Sequence, residues 1–169
     1  MTSLEVGLSA AAIATLCGIT IAYMDVFGQS RLTLTISAIA RLPILIPGVI
    51  IGIALLILVN LAGLGPSRTA IVAGHVLAAL PTTVVIMRSR FAGIPRSIPE
   101  AAEDLGAHDF LVFRRIMLPL SLPAVGSAFM LAFLTSFDEF IIAFFLAILV
   151  STTTIAIAWF WYRPVLAAG

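Results

Sequence analysis

Apolar residues gather into four long runs along the chain, at about 6–24, 43–62, 69–87 and 119–147, and polar residues gather between them. Spanning the hydrocarbon core takes ~20 helical residues, and each run is near or above that length. None of the four alternates apolar with polar at a period of two, so a membrane strand is not indicated. Inside lipid a lone segment satisfies its own backbone N–H and C=O groups only as a helix. The pattern therefore predicts an all-α integral membrane protein, a polytopic helical bundle of about four spans.

Within the runs, Gly48 and Gly52 form a small-xxx-small pair, and Ala124, Ala128 and Ala132 form a second ladder. Small residues at this spacing let two helix backbones approach closely. Pro47, Pro81 and Pro123 are expected to bend the spans that hold them. The start of the chain has Glu5 and no positively charged n-region, so the first run is expected to be a retained span rather than a cleaved leader.

Charge decides the orientation. Arg31 and Arg41 lie in the first polar segment, 25–41, and Arg88, Arg90, Arg96, Arg114 and Arg115 in the second, 88–118. With four spans both segments fall on one side and hold seven Arg. Arg68 and Arg163 remain for the other side. The positive-inside rule then predicts that both Arg-rich segments are cytoplasmic, with the N-terminus and the loop at Pro66 outside.

Composition removes several function classes. Hydrophobic residues make up 62% of the 169 and charged residues 10%, against ~45–50% and ~25% in soluble domains. A net charge of +1 gives no polybasic surface for nucleic acid. The basic residues are all Arg; with no Lys the chain cannot supply a Gly-rich phosphate loop of the Lys-containing type. Cys17, the one cysteine, allows no internal disulfide and is expected to be a small buried residue in a helix. His75 and His108 lack metal-ligand spacing; His75 is expected to be a hydrogen-bonded packing residue and His108 a solvated one. No hydroxyl has a base at motif spacing, so no enzyme activity, metal site or cofactor is expected.

The second polar segment carries the most information. Ser97-Ile98-Pro99-Glu100 has the form of a capping box, in which Ser97 and Glu100 would satisfy each other's backbone N–H groups. Pro99 suits a first helical turn. Acidic residues follow at Glu103 and Asp104, and Gly106 is a natural stop. This predicts a helix of about two turns whose small Ala101 and Ala102 would admit a close-packed partner. A docking peg and a plain surface turn both fit. From His108 to Met117, Phe110 and Phe113 mix with Arg114 and Arg115, as in an interfacial segment among lipid headgroups.

The spacing Glu100-Ala101-Ala102, three residues, Gly106, nine residues, Ile116, one residue, Leu118-Pro119 resembles the EAA loop of ABC importer permeases, the binding-protein-dependent inner-membrane component family. Pro43 to Gly48, Gly74-His75-Val76 with Pro81, and Ser136 to Phe140 are also similar to this family, most of all to its spermidine/putrescine branch. The resemblance implies a fold of the type I ABC importer permease kind, with a short cytoplasmic coupling helix in the bacterial inner membrane. It implies that Glu100, Ala101, Ala102, Glu103 and Gly106 contact a separate cytoplasmic ATP-binding subunit dimer that holds the ATP. It also implies a second permease subunit, a periplasmic substrate-binding protein and membrane lipid as partners. Family members usually have six spans, so the chain is expected to be a partial permease domain lacking the first and last. Polyamines are the expected substrate. Another small solute such as an iron complex or thiamine, or a truncated scaffold that transports nothing, are the alternatives.

Asp138 and Glu139 stand in an apolar context, where carboxylates are costly and tend to face a pathway or a partner. Counted from Pro119 at 1.5 Å per residue, Asp138 lies ~28 Å along the helix, near the outer edge of the bilayer. Ser136 and Glu139 also have capping-box spacing, so the acids either begin a new helical turn or line an exit for a cationic substrate. Beyond them, the aromatic cluster from Trp159 to Tyr162 predicts a short helix at the outer interface, although 140–162 is also long enough to cross if the acids form a turn.

Overall fold

The structure is a computed structural model, and it describes residues 3–28, 30–63, 67–139 and 142–145. Among these residues every element is helical. They run in the order α1 (Ser3–Phe27), α2 (Arg31–Arg41), a 3-10 turn (Leu42–Leu45), α3 (Gly48–Leu61), α4 (Arg68–Ala92), α5 (Ser97–Asp104), α6 (Asp109–Val112), a π turn (Phe113–Met117), α7 (Leu118–Leu120) and α8 (Leu122–Asp138). The end of the fourth apolar run, the Pro66 loop, Arg163 and the aromatic cluster at 159–162 lie outside the described residues.

Helices α1 and α4, 25 residues each, are long and apolar enough to cross a bilayer unaided. The other two runs are broken. The stretch Arg31–Leu45 meets α3 at 112°, leaving α3 only 14 residues. Pro47 causes the break: it excludes Ile46 from the helical region, and Ile46 is extended at φ −103°, ψ 124°. The stretch Asp109–Leu120 meets α8 at 74° at Ser121. Pro119 and Pro123 both lack the N–H that would carry a helix through this point, and the backbone widens into the π turn just ahead of it. Counting each bent pair as one crossing gives four. Pro81 acts differently, since α4 runs through it as one helix with the ring buried.

The core is a triple of α1, α4 and α8, and α1 meets it with small residues. Gly7, Ala11, Ala14, Gly18 and Ala22 are all buried and recur every three or four positions, with Ala10 buried beside them. At Gly18 the two backbones come so close that a methyl group there would lie 2.7 Å from Thr83 Cβ and 3.1 Å from its carbonyl carbon. Thr83 Oγ1 donates across this gap to the carbonyl of Ala14 at 3.0 Å and within its own helix to Leu80 at 2.8 Å. A polar side chain is thereby satisfied where no water reaches. Helix α8 lays Ala128 and Ala132 on the pair, both fully buried, with Ala124 half-buried beside them. The second ladder read from the sequence is thus a packing face. Gly48 and Gly52 face the stretch after α8, where Phe145 would meet a methyl group at Gly52.

One end of the triple is closed by a cluster of Met87, Phe91, Val112 and Met117 against Ile19 and Ala22. Tyr23 stacks edge-on to Phe91 and Phe113, with ring centroids 5.7 and 4.7 Å away, and so fastens the π turn to α1 and α4. Cys17 departs from its expected place: it lies on the exposed face of α1, because the buried stripe is taken by Ala14, Gly18 and their neighbours.

Replacing Gly18 with Ala forces α1 and α4 apart and is expected to cost ~1–3 kcal/mol, as overpacking does in tight cores. Thermal unfolding of the detergent-solubilised protein measures it. Gly126→Ala, at a site with nothing within 4 Å, is the control expected to leave the midpoint unchanged.

Candidate functional site

Helix α4 ends at Gly93, and after Ile94, which is buried, the chain turns at Pro95 into α5. The expected cap at Ser97 does not form. Arg96 already has helical dihedrals, and the backbone carbonyls of Pro95 and Arg96 take the N–H groups of Ile98 and Glu100 at 3.1 and 3.2 Å. Ser97 therefore occupies the first helical position, and no side chain caps the helix. The other end behaves as its sequence suggests. Gly106 adopts φ +86°, its N–H meets the carbonyl of Glu103 at 2.8 Å, and the N–H of Ala107 meets that of Ala102 at 3.0 Å. This pair of bonds around a left-handed glycine is the Schellman arrangement, which stops a helix within one residue.

The two faces of α5 differ. Pro99 is buried and Ala102 half-buried against the core below, while Glu100, Ala101, Glu103 and Gly106 are exposed. Ile98 and Leu105 join Ala101 on the outer face, and Leu105 is 90% exposed. An exposed apolar row at positions i, i+3 and i+7 is a surface open to a partner. Of the five residues read from the sequence as contacts, Ala101 and Gly106 are exposed, Glu100 and Glu103 are exposed but line the hollow beneath the helix, and Ala102 turns inward. Ile98 and Leu105, which the sequence reading did not single out, share the exposed face with Ala101 at helical spacing.

Beneath α5 lies a hollow of about 290 Å³ between Tyr23, Phe27 and Thr33 on one side and Arg96, Glu100 and Glu103 on the other. Arg96 spans its edge by donating to the carbonyl of Val26 at 3.4 Å. Past Gly106, His108 caps α6 by accepting the Leu111 N–H at 3.3 Å. Val112 and Met117 point inward while Phe110, Arg114 and Arg115 are exposed. This is the amphipathic division expected of an interfacial segment.

The acid pair is far from α5 in the chain and divides on folding. Helix α8 stops at Asp138, which is exposed, and Glu139 leaves the helical region at ψ 62°. The Glu139 carboxylate lies beside the first residue of α3, where a methyl group on Gly48 would stand 3.3 Å from it. A helix start favours such an anion. Ser136 does not cap this turn. Its hydroxyl is paired with His75 Nδ1 at 2.7 Å in the buried contact between α4 and α8. His75 is thus the hydrogen-bonded packing residue that its apolar setting suggested.

Sequence comparison extends the picture. The permease protein PotC of the spermidine/putrescine transport system of Haemophilus influenzae is 30% identical over 145 residues, which cover 86% of this chain and 56% of that protein. PotI of the putrescine transport system of Escherichia coli K12 is 37% identical over 152 residues, covering 86% and 54%. PotC of Escherichia coli K12 is 36% identical over 99 residues, covering 59% and 38%. The chain spans about half the length of the curated relatives it matches, or less. The family model described as "Binding-protein-dependent transport system inner membrane component" matches residues 14–169. With helical crossings, a short exposed peg and that match over nearly its whole length, the chain belongs to the binding-protein-dependent transport system inner membrane component family.

Proposed function

We propose that the chain is the membrane permease subunit of an ATP-driven importer of polyamines in a bacterial inner membrane, and that α5 is the peg that couples it to a separate ATPase. The observation that carries this reading is the outer face of α5: Ile98, Ala101 and Leu105 in a row, exposed, on a helix closed by Gly106. Such a face fits a cleft in a cytoplasmic ATP-binding subunit. The Arg-rich end of the bundle, on which α5 stands, faces the cytoplasm by the positive-inside rule. A second permease subunit completes the path, and a periplasmic binding protein delivers substrate from the other side. Closure of the ATPase dimer moves α5, and the bundle alternates its access.

The names of the relatives support polyamines as the substrate. Asp138 is the residue that fits this role best. It is exposed at the end of α8, where the helix carbonyls add partial negative charge and attract an ammonium group. Glu139, turned towards α3, contributes less directly.

Three outcomes test the reading in the complete transporter reconstituted in proteoliposomes. In a Cys17→Ser background, Ala101→Cys crosslinks to the ATP-binding subunit in a nucleotide-dependent manner; no crosslink at any nucleotide state refutes the docking role. Gly106→Val, which strains a left-handed position, is expected to cost ~1 kcal/mol or more at the helix end and to lower uptake while the protein still inserts. Asp138→Asn is expected to raise the KM for labelled spermidine about tenfold, as the loss of one charged contact of ~1.5 kcal/mol would. Unchanged KM and rate remove Asp138 from the path.

A further inference from the structure

Asp25, in the last turn of α1, has a side chain only 2% exposed. As whole residues, Asp25 and Glu139 are half-buried and the other carboxylates are exposed. Two arginines converge on one of its oxygens. Arg88 of α4 donates through Nε to Oδ2 at 2.6 Å, and Arg41, the last residue of α2, brings Nη2 to 3.8 Å from the same atom. Arg41 is aimed by its own Nε, which donates to the carbonyl of Ser37 at 2.9 Å.

We propose that Asp25 is a coupling residue, the joint through which movement of α5 reaches α2 and α3; this rests on the reading of α5 as the ATPase-docking peg. The geometry supplies each link. Arg88 lies one turn before the end of α4, and only Gly93 to Arg96 separate that helix from α5. Arg96 ties the start of α5 to the end of α1 through Val26, and Arg90 donates to the carbonyl of Leu120, just ahead of the bend into α8. The end of α4 is therefore fastened to α1, to α5 and to the foot of α8.

Helix α2 is attached differently. Its buried face is Thr33, Ser37 and Ala40, which offers little apolar grip, and Thr33 bonds only to the adjacent turn at Gly28 and Ser30. Its charged link to the α1–α4 pair is the Arg41 contact with Asp25. Beyond Arg41 the chain bends by 112° into α3, whose first residue faces Glu139. A carboxylate closed off from water cannot be left without a cation at little cost. When the end of α4 shifts, Asp25 must keep a partner, and Arg41 is drawn along or takes over. Motion at the peg thus passes to the bent α2–α3 element without requiring α1 and α4 to separate.

The test is the ratio of ATP hydrolysed to labelled spermidine imported, in proteoliposomes holding the complete complex. Arg41→Gln leaves the Arg88–Asp25 pair in place and is expected to raise the ratio about tenfold, inside the ordinary range of coupling free energies. Asp25→Asn raises it at least as far, and Asp25→Glu, which keeps an anion between Arg41 and Arg88, is expected to stay close to the parent ratio. The amount of assembled complex and the Ala101→Cys crosslink are measured for every variant. If uptake and hydrolysis fall in parallel, or the ratio stays constant while the crosslink persists, Asp25 only holds the fold and the proposal is wrong. If the crosslink is missing in the parent protein, the docking role of α5 fails instead, and this proposal with it.

Discussion

The rest of the described structure is organised around the approach of α1 to α4. Lipid supplies no hydrophobic drive for two apolar helices to associate, so close packing and a shared hydrogen bond must hold them. Gly18 lets the backbone of α4 pass at Thr83, and the Thr83 hydroxyl reaches the Ala14 carbonyl because that distance is short. Everything else is added to this pair. Helix α8 covers it with Ala128 and Ala132, the aromatic cluster around Tyr23 closes one end, and the arginines of α4 secure the same end to its neighbours.

Rigidity in this pair gives meaning to the breaks elsewhere. Both bent elements owe their angles to proline, at Pro47 in one and at Pro119 and Pro123 in the other. Each bend also leads to a residue that the transport reading uses. The first brings the start of α3 to Glu139, and the second sets the foot of α8, whose far end carries Asp138. A straight pair flanked by two bent elements is a construction in which the flanks can pivot while the centre keeps its packing.

Much of this was legible in the residues. Run lengths of apolar residues mark the helices, because the bilayer enforces both length and internal hydrogen bonding. The loop from Ser97 to Pro119 marks the family, and Gly106 marks a helix end that only a left-handed residue closes. What escaped has a common cause. Ser97 looked like a cap, but whether a side chain or a preceding backbone carbonyl starts a helix depends on dihedrals at Arg96 that no spacing specifies. Ser136 looked like a cap too, and a partner 61 residues away in the chain took its hydroxyl. Asp25 looked like the edge of a loop until two helices delivered Arg41 and Arg88 to it. Local pattern reports local bonds; pairings between distant helices follow from packing. The small-residue stripe of α1 is the exception, since its spacing was visible and simply less conspicuous than Gly48 and Gly52.

The division of α5 into an inner face of Pro99 and Ala102 and an outer row of Ile98, Ala101 and Leu105 separates two kinds of selection. Substitutions in the outer row leave the support beneath untouched, because none of those side chains takes part in it. On the proposed docking role of α5, paralogous transporters could keep their engines from being exchanged by varying this row. On the same proposal, a hybrid permease carrying another system's outer row would take up that system's motor without a rebuilt support.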